Sequence, residues 1–224
     1  MSGQLAFDLP FRAALGRADF FVSASNAQAL AALDGWRDWP GGKHLLIGPA
    51  GSGKTHLTQV WTDMAGGARI IKATALGGAA LPSLGQSGAV AVEDCDSLAQ
   101  NAGAQEALFH LHNMLAANGA ALLLTARHPP RDWGLTLPDL ESRVQATSIA
   151  RIESPDDALL SAVLIKLFSD RQITVTPTLI AYLLPRMERS FDAARALVAA
   201  IDAASLAQGS PVNRALAASL LDKG

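Results

Sequence analysis

Apolar positions follow two alternating patterns up to about residue 153 and a single pattern beyond it. KHLLIG (43–48) is a short apolar run closed by glycine and proline, as a buried strand requires. RIIKA, AVAVED and AALLLTA repeat that buried-strand pattern. Helical spacing appears from Asn26 to Trp36, with Ser25 as the expected cap, in HLTQVWTDMA, and from Ala104 to Ala117. Strands that alternate with helices predict a central parallel sheet flanked by helices and joined by right-handed crossovers. The Gly-rich stretch GGAALPSLGQSG (77–88) reads as a loop.

Past residue 153 the strand signals stop. SPDDALLSAVLIKLF opens with Ser154 at the cap, Pro155 in the first turn and Asp157 three residues on. TPTLIAYLLPRM and SFDAARALVAAIDAASL open in the same way on Thr176 and Ser190, and NRALAASLL follows. The expected organisation is a tail over 1–18, an α/β domain over 19–153 and a small all-helical domain over 154–224.

Composition narrows the chemistry. Half of the 224 residues are hydrophobic and 5% are aromatic, so the core must be built from aliphatic side chains. The lone cysteine, Cys95, excludes an internal disulfide and a CxxC metal site. No basic stretch followed by an apolar core opens the chain, and the longest apolar run, around GAALLLTA, is too short to cross a bilayer. A cytoplasmic place with no membrane partner is expected. The net charge of −2 and a pI near 6.2 argue against DNA binding through a generally basic surface. His110 and His112 stand two apart on a predicted helix, face different sides and make a poor metal pair. The four tryptophans are scattered and are expected to pack locally.

GPAGSGKT (48–55) satisfies G-x-x-x-x-G-K-[ST] at each required position, between a predicted strand and a predicted helix. Gly48, Pro49, Ala50, Gly51, Ser52 and Gly53 would wrap phosphates with backbone N–H groups, and His56 follows in the helix's first turn. The helix amino terminus adds favourable potential for an anion. Lys54 can reach the β/γ-phosphates, and the Thr55 hydroxyl can bind Mg²⁺. AVAVEDCD (89–96) brings acids to a strand's carboxyl end. There Glu93 would enter the Mg²⁺ shell, and Asp94 would orient or deprotonate an attacking water. Asp96 reads as a turn or helix-start residue.

GKTHL after the P-loop, the strand AVAVED, LLLTARHPP, LPDLESR and the terminal helices together resemble the DnaA-type AAA+ ATPase family over roughly residues 19 to 210. LPDLESR is closest to the Hda group, short homologues of the initiator that inactivate it. The resemblance implies a P-loop AAA+ module with a helical lid, holding ATP or ADP with Mg²⁺. DFFVSASNAQAL (19–30) resembles the family's N-linker, which implies Phe21 and Val22 near the adenine. Arg143, in LPDLESR, falls at the arginine finger that reaches a nucleotide held by a neighbouring subunit. Arg195 falls nearest the lid arginine called sensor II, with Arg189 as a competitor. Thr125 ends the fourth strand where sensor I belongs, with Arg127 as the other candidate. Three departures stand out: Glu93 replaces the initiator's usual Asp, TAR replaces an Asp-containing sensor I segment, and Ser23 and Ala24 replace a common Gly-Lys. The chain's own hydrolysis is therefore expected to be weak, its main effect being to stimulate hydrolysis in a partner.

No basic recognition helix precedes Gly224, so no direct sequence-specific DNA binding is expected. QLAFDLP (4–10) resembles the peptide with which bacterial replication proteins dock on the DNA polymerase sliding clamp. Gln4 would supply the amide, Leu5, Phe7 and Leu9 the apolar anchors, and Pro10 a stiff exit. The expected partners are that clamp and the DnaA initiator, and AAA+ surfaces also allow self-association. The clamp would bring the chain to the nucleoid and replisome. These expectations describe a negative regulator of replication initiation. The alternative is an autonomous AAA+ ATPase acting as a motor or loader on a DNA-bound replication partner.

Overall fold

The alternation of strand and helix resolves, in the computed structural model, into a five-stranded parallel sheet in the order β2-β3-β4-β1-β5. The structure describes residues 21–221. The strands are β1 (Lys43–Ile47), β2 (Arg69–Lys72), β3 (Ala89–Glu93), β4 (Ala121–Ala126) and β5 (Ser148–Arg151). Every residue of β3 and β4 is buried, which is why both read as unbroken apolar runs. β2 is different. It was expected as a buried strand, yet it is a largely exposed edge strand with Ile70 39% accessible. β5 gave no apolar run at all: Ala150 and Ile152 are buried while Ile149 and Arg151 are exposed, the alternation of a half-covered edge.

Helices α1 (Ala27–Asp34), α2 (Lys54–Met64), α3 (Leu81–Gly85), α4 (Ala102–Ala117) and α5 (Pro138–Gln145) cover the sheet. Leu108, Leu111 and Leu115 of α4 and Leu140 and Val144 of α5 join Leu45, Val90, Val92, Leu122 and Leu124 in one core. Burying each such leucine stabilises the domain by roughly 2 kcal/mol. Ser25 does not cap α1: its hydroxyl meets that of Ser23 at 2.7 Å, and Asn26 occupies the cap position. The stretch 77–88 is not an open loop either. A helical turn over Ala73–Gly78 and α3 run through it, because Leu76 and Leu84 have a core to enter. Three of the tryptophans are not scattered. Trp39 stacks on Trp61 at 5.5 Å, Trp36 meets Trp61 edge-on at 6.3 Å, and His44 stacks on Trp39 at 5.0 Å.

Contacts divide the chain into two compact units, one of them spanning Asn26–Glu153. The other joins 154–221 with residues 21–25. It contains α6 (Asp157–Ser169), α7 (Pro177–Leu183), α8 (Phe191–Gln208) and α9 (Arg214–Leu221), packed around Leu164, Phe168, Leu183, Val198 and Ile201. Thr176 and Ser190 accept the N–H groups of Leu179 and Ala193, as N-caps do. α6 starts later than expected. Asp156, not Ser154, accepts from Leu159 N at 2.8 Å, its carboxylate being the better acceptor one turn from the apolar run.

Candidate functional site

β1 delivers the chain to the end of the sheet, where Gly48 N donates to Ala126 O. A side chain at Gly48 would lie 2.8 Å from both the Ile152 carbonyl and the Ser52 hydroxyl, so only glycine fits there. The loop turns through Gly51 (φ 65°) and Gly53 (φ 98°), left-handed positions that other residues resist, and α2 begins at Lys54. Lys54 Nζ donates to the carbonyls of Gly48 at 2.6 Å and Pro49 at 2.8 Å. Its ammonium is pushed below its ordinary pKa by partial burial first and then by Arg127, against the pull of Asp94, Asp96 and Glu93. Ser52 is buried with no partner for its hydroxyl. Thr55 and His56 are exposed in the first turn of α2.

Glu93 ends β3 with its side chain buried and its Oε1 unpartnered. The next residue, Asp94, adopts φ 59° and ψ 45°, a left-handed conformation that turns its carboxylate away from the strand line. Its N–H donates to Thr125 Oγ1 at 3.3 Å, and its carboxylate lies 3.6 Å from Lys72 Nζ. Of the two sensor I candidates, Thr125 is the one that touches Asp94. Arg127 is exposed and lines a cavity of about 420 Å³ with Gly48, Pro49, Ala50, Arg151 and Glu153. Arg151 and Glu153 escaped the sequence reading because the edge strand that carries Arg151 did. Asp96 spans two loops rather than only starting a turn: its carboxylate accepts the N–H groups of Arg127 and His128.

Arg143 lies elsewhere. Its Nε donates to Asn113 Oδ1 at 3.2 Å, and its guanidinium sits 4.9 Å from the centre of the Phe109 ring. It also depresses the ammonium of Lys43, secondary to burial. Lys43 is the first residue of β1 and Gly48 follows the last, so Arg143 stands at the far end of the strand from the P-loop, roughly 15 Å away. In the helical unit Arg195 pairs with Asp192, and Arg189 pairs with Asp157 at 2.7 Å. Phe21 and Val22 are half-buried in the same unit. Gln4, Leu5, Phe7, Leu9 and Pro10 lie outside the described residues. His110 is exposed and His112 buried, and among the described residues no His, Cys, Asp and Glu side chains cluster as a metal site. No described helix is long and apolar enough to cross a membrane.

No family model matches the sequence. Among solved structures, domain III of the replication initiation protein DnaA from Thermotoga maritima superposes with a TM-score of 0.76 at 19% identity, over 92% of this chain and 94% of that one. The fold is that of a DnaA-like AAA+ module. DnaA from Aquifex aeolicus, solved bound to AMPPCP, matches at TM-score 0.67 and 19% identity over 82% of this chain. The match spans 63% of that DnaA chain, less than two thirds of it. A RuvB variant from Thermotoga maritima shares the AAA+ fold as well, at TM-score 0.70 and 17% identity over 90% of this chain and 70% of its own.

Proposed function

We propose that this AAA+ module binds an adenine nucleotide, ATP or ADP, and acts as a regulator of the Hda type: it docks on the sliding clamp through QLAFDLP and presents Arg143 to ATP held by the DnaA initiator. Hydrolysis in the initiator then switches off new initiation. The observation that carries this reading is the position of Arg143 at the opposite end of β1 from the chain's own P-loop. A guanidinium there serves a nucleotide on a neighbouring subunit, and its planar fork suits phosphate oxygens. An arginine supplied in trans accelerates phosphoryl transfer by roughly 10³–10⁵. Asn113 and Phe109 hold the guanidinium without neutralising it.

Within the chain, the Lys54 contacts to the Gly48 and Pro49 carbonyls are bonds that phosphate oxygens would replace with stronger, charge-assisted ones. Thr55 and Glu93 fit an Mg²⁺ ion, because the buried, unpartnered Glu93 Oε1 is an acceptor that a cation or its water would satisfy. Bound there, Mg²⁺ would neutralise charge on the phosphate oxygens. Arg195, or Arg189 in its stead, would leave its carboxylate partner to meet the nucleotide as sensor II. Phe21 and Val22 would border the adenine.

The test follows γ-phosphate release from initiator preloaded with labelled ATP in the presence of clamp-loaded DNA. Wild type should stimulate release; Arg143→Ala, and a variant with Gln4 and Leu5 both changed to alanine, should not. Stimulation that survives both changes overturns the reading. A second reading, an autonomous motor or loader, draws on the hydrogen bond from Asp94 to Thr125, which holds a hydrolytic acid in place in the chain itself. It requires steady ATP turnover by the chain alone, abolished by Asp94→Asn and indifferent to the tail.

A further inference from the structure

The charges of the helical unit do not cancel where they stand. Residues 154–221 carry six arginines and lysines and six acids. Four of those cations meet an acid of the same unit: Lys166 meets Asp170, Arg171 meets Asp202, Arg189 meets Asp157 and Arg195 meets Asp192. Arg186 and Arg214 are left, and among the described residues neither forms an ion pair. The fold brings both to one aromatic ring. The guanidinium carbon of Arg186 lies 4.0 Å, and that of Arg214 4.7 Å, from the ring centre of Tyr182, the only tyrosine of the chain. Both arginines are exposed, whereas Tyr182 is half-buried against the core of the unit.

Tyr182 lies near the end of α7, Arg186 follows within one turn and Arg214 opens α9, so the packing of α9 on α7 makes the site. Arg186 Nη1 also donates to Tyr182 O at 3.0 Å, which holds that arm in place. A ring face attracts a guanidinium without neutralising it, so both cations keep their full charge. Their distances to one ring centre put the two guanidinium carbons within about 9 Å of each other, close enough to repel. An anion bound across them relieves that repulsion, and a guanidinium fork suits phosphate oxygens. A DNA strand carries one phosphate about every 3.4 Å along its axis, so a span of up to about 9 Å reaches two neighbouring phosphates of one strand. Contacts of this kind position a protein on DNA and read no sequence.

We propose that Arg186 and Arg214, mounted on Tyr182, form a sequence-independent contact on the helical unit for the phosphate backbone of DNA. A local pair of this kind is compatible with a net charge of −2, because the unit's other cations are held in ion pairs. Two phosphate contacts give weak binding by themselves. They gain weight wherever another contact already holds the chain beside DNA, since tethering raises the effective concentration. The contact uses neither the P-loop nor Arg143, so it stands or falls apart from the nucleotide chemistry.

Anisotropy of a fluorescein-labelled duplex of about 20 base pairs, titrated with the full chain at about 20 to 150 mM salt, tests it. Wild type should bind two unrelated sequences equally, with a log–log salt slope of about −2. Arg186→Ala and Arg214→Ala should each weaken binding about tenfold at the lowest salt and bring the slope to about −1. The double variant should bind too weakly to titrate. Arg171→Ala removes an equal charge, but from an ion pair, and should change affinity less than about twofold. Circular dichroism melts of the Arg186 and Arg214 variants should match wild type, since both side chains are exposed. Binding that survives in the double variant, an equal loss in Arg171→Ala, or no binding by wild type at the lowest salt overturns the proposal. So does a labelled oligoglutamate peptide that wild type binds more tightly than the duplex and the double variant does not bind, because the pair then takes an acidic protein segment.

Discussion

Asp96 ties together two loops that the chain separates by 31 residues, and removing its carboxylate should loosen the Arg127–His128 loop beside the P-loop. The carboxylate accepts from Arg127 N at 2.7 Å and His128 N at 2.9 Å, and meets His128 Nδ1 at 3.1 Å. Hydrogen bonds to a charged group contribute about 1.5–3 kcal/mol each when fully buried. This side chain keeps 24% of its surface in solvent, so water replaces part of what Asp96→Ala deletes. The net loss expected is about 2–3 kcal/mol rather than twice that. Urea titration followed by tryptophan fluorescence reads it cleanly. Trp36, Trp39, Trp61 and Trp133 all belong to the α/β unit, so the helical unit contributes no signal. With a slope of roughly 2 kcal/mol per molar urea, the midpoint should drop by about 1 M. Asp96→Asn keeps one acceptor oxygen and should lose about half as much. A loss under about 0.5 kcal/mol for Asp96→Ala would refute the claim that these bonds anchor the loop.

Gly48→Ala should destabilise the α/β unit by about 1–3 kcal/mol, because the added methyl meets a backbone carbonyl that cannot swing aside. The same titration reads it, and mant-ADP affinity should fall alongside. His112 is buried, and desolvation, aided by Lys43 and Arg143, pushes its pKa from 6.5 down to about 4. Its neutral form favours the fold, so this contribution is whole above pH 6.5 and is lost as pH falls toward 4. Urea midpoints measured from pH 7.5 to 4.5 should decline less steeply in His112→Gln than in wild type; parallel curves would remove His112 as the cause.

Most of the architecture was legible wherever one residue's surroundings do not depend on distant partners. GPAGSGKT carries its own turn geometry in its glycines, and AVAVE and ALLLTA are buried on both faces whichever strands lie beside them. Thr176 and Ser190 reach the N–H groups three residues on, so local spacing alone placed those caps. α6 shows the limit of such local reading. The spacing of SPDD pointed to Ser154 as the cap, whereas the structure uses Asp156, two residues nearer the apolar run.

The edges of the sheet could not be read in this way. RIIK looks like any buried apolar run, and only the strand order leaves it with a neighbour on one side. SIAR has too few apolar residues to stand out, yet it pairs with β1 and carries Arg151 up to the P-loop. Thr125 was named along the chain with Arg127 as its alternative, and the two part in space because β4 lies next to β3, which sets one hydroxyl against the Asp94 N–H. The motif-bearing residues, then, were decided by the sequence itself, because phosphate binding needs a continuous loop whose backbone conformation is local. Which cations gather around that loop was decided by the tertiary structure, because charge acts through space and residues 48, 127 and 151 become neighbours only when three parallel strands pair.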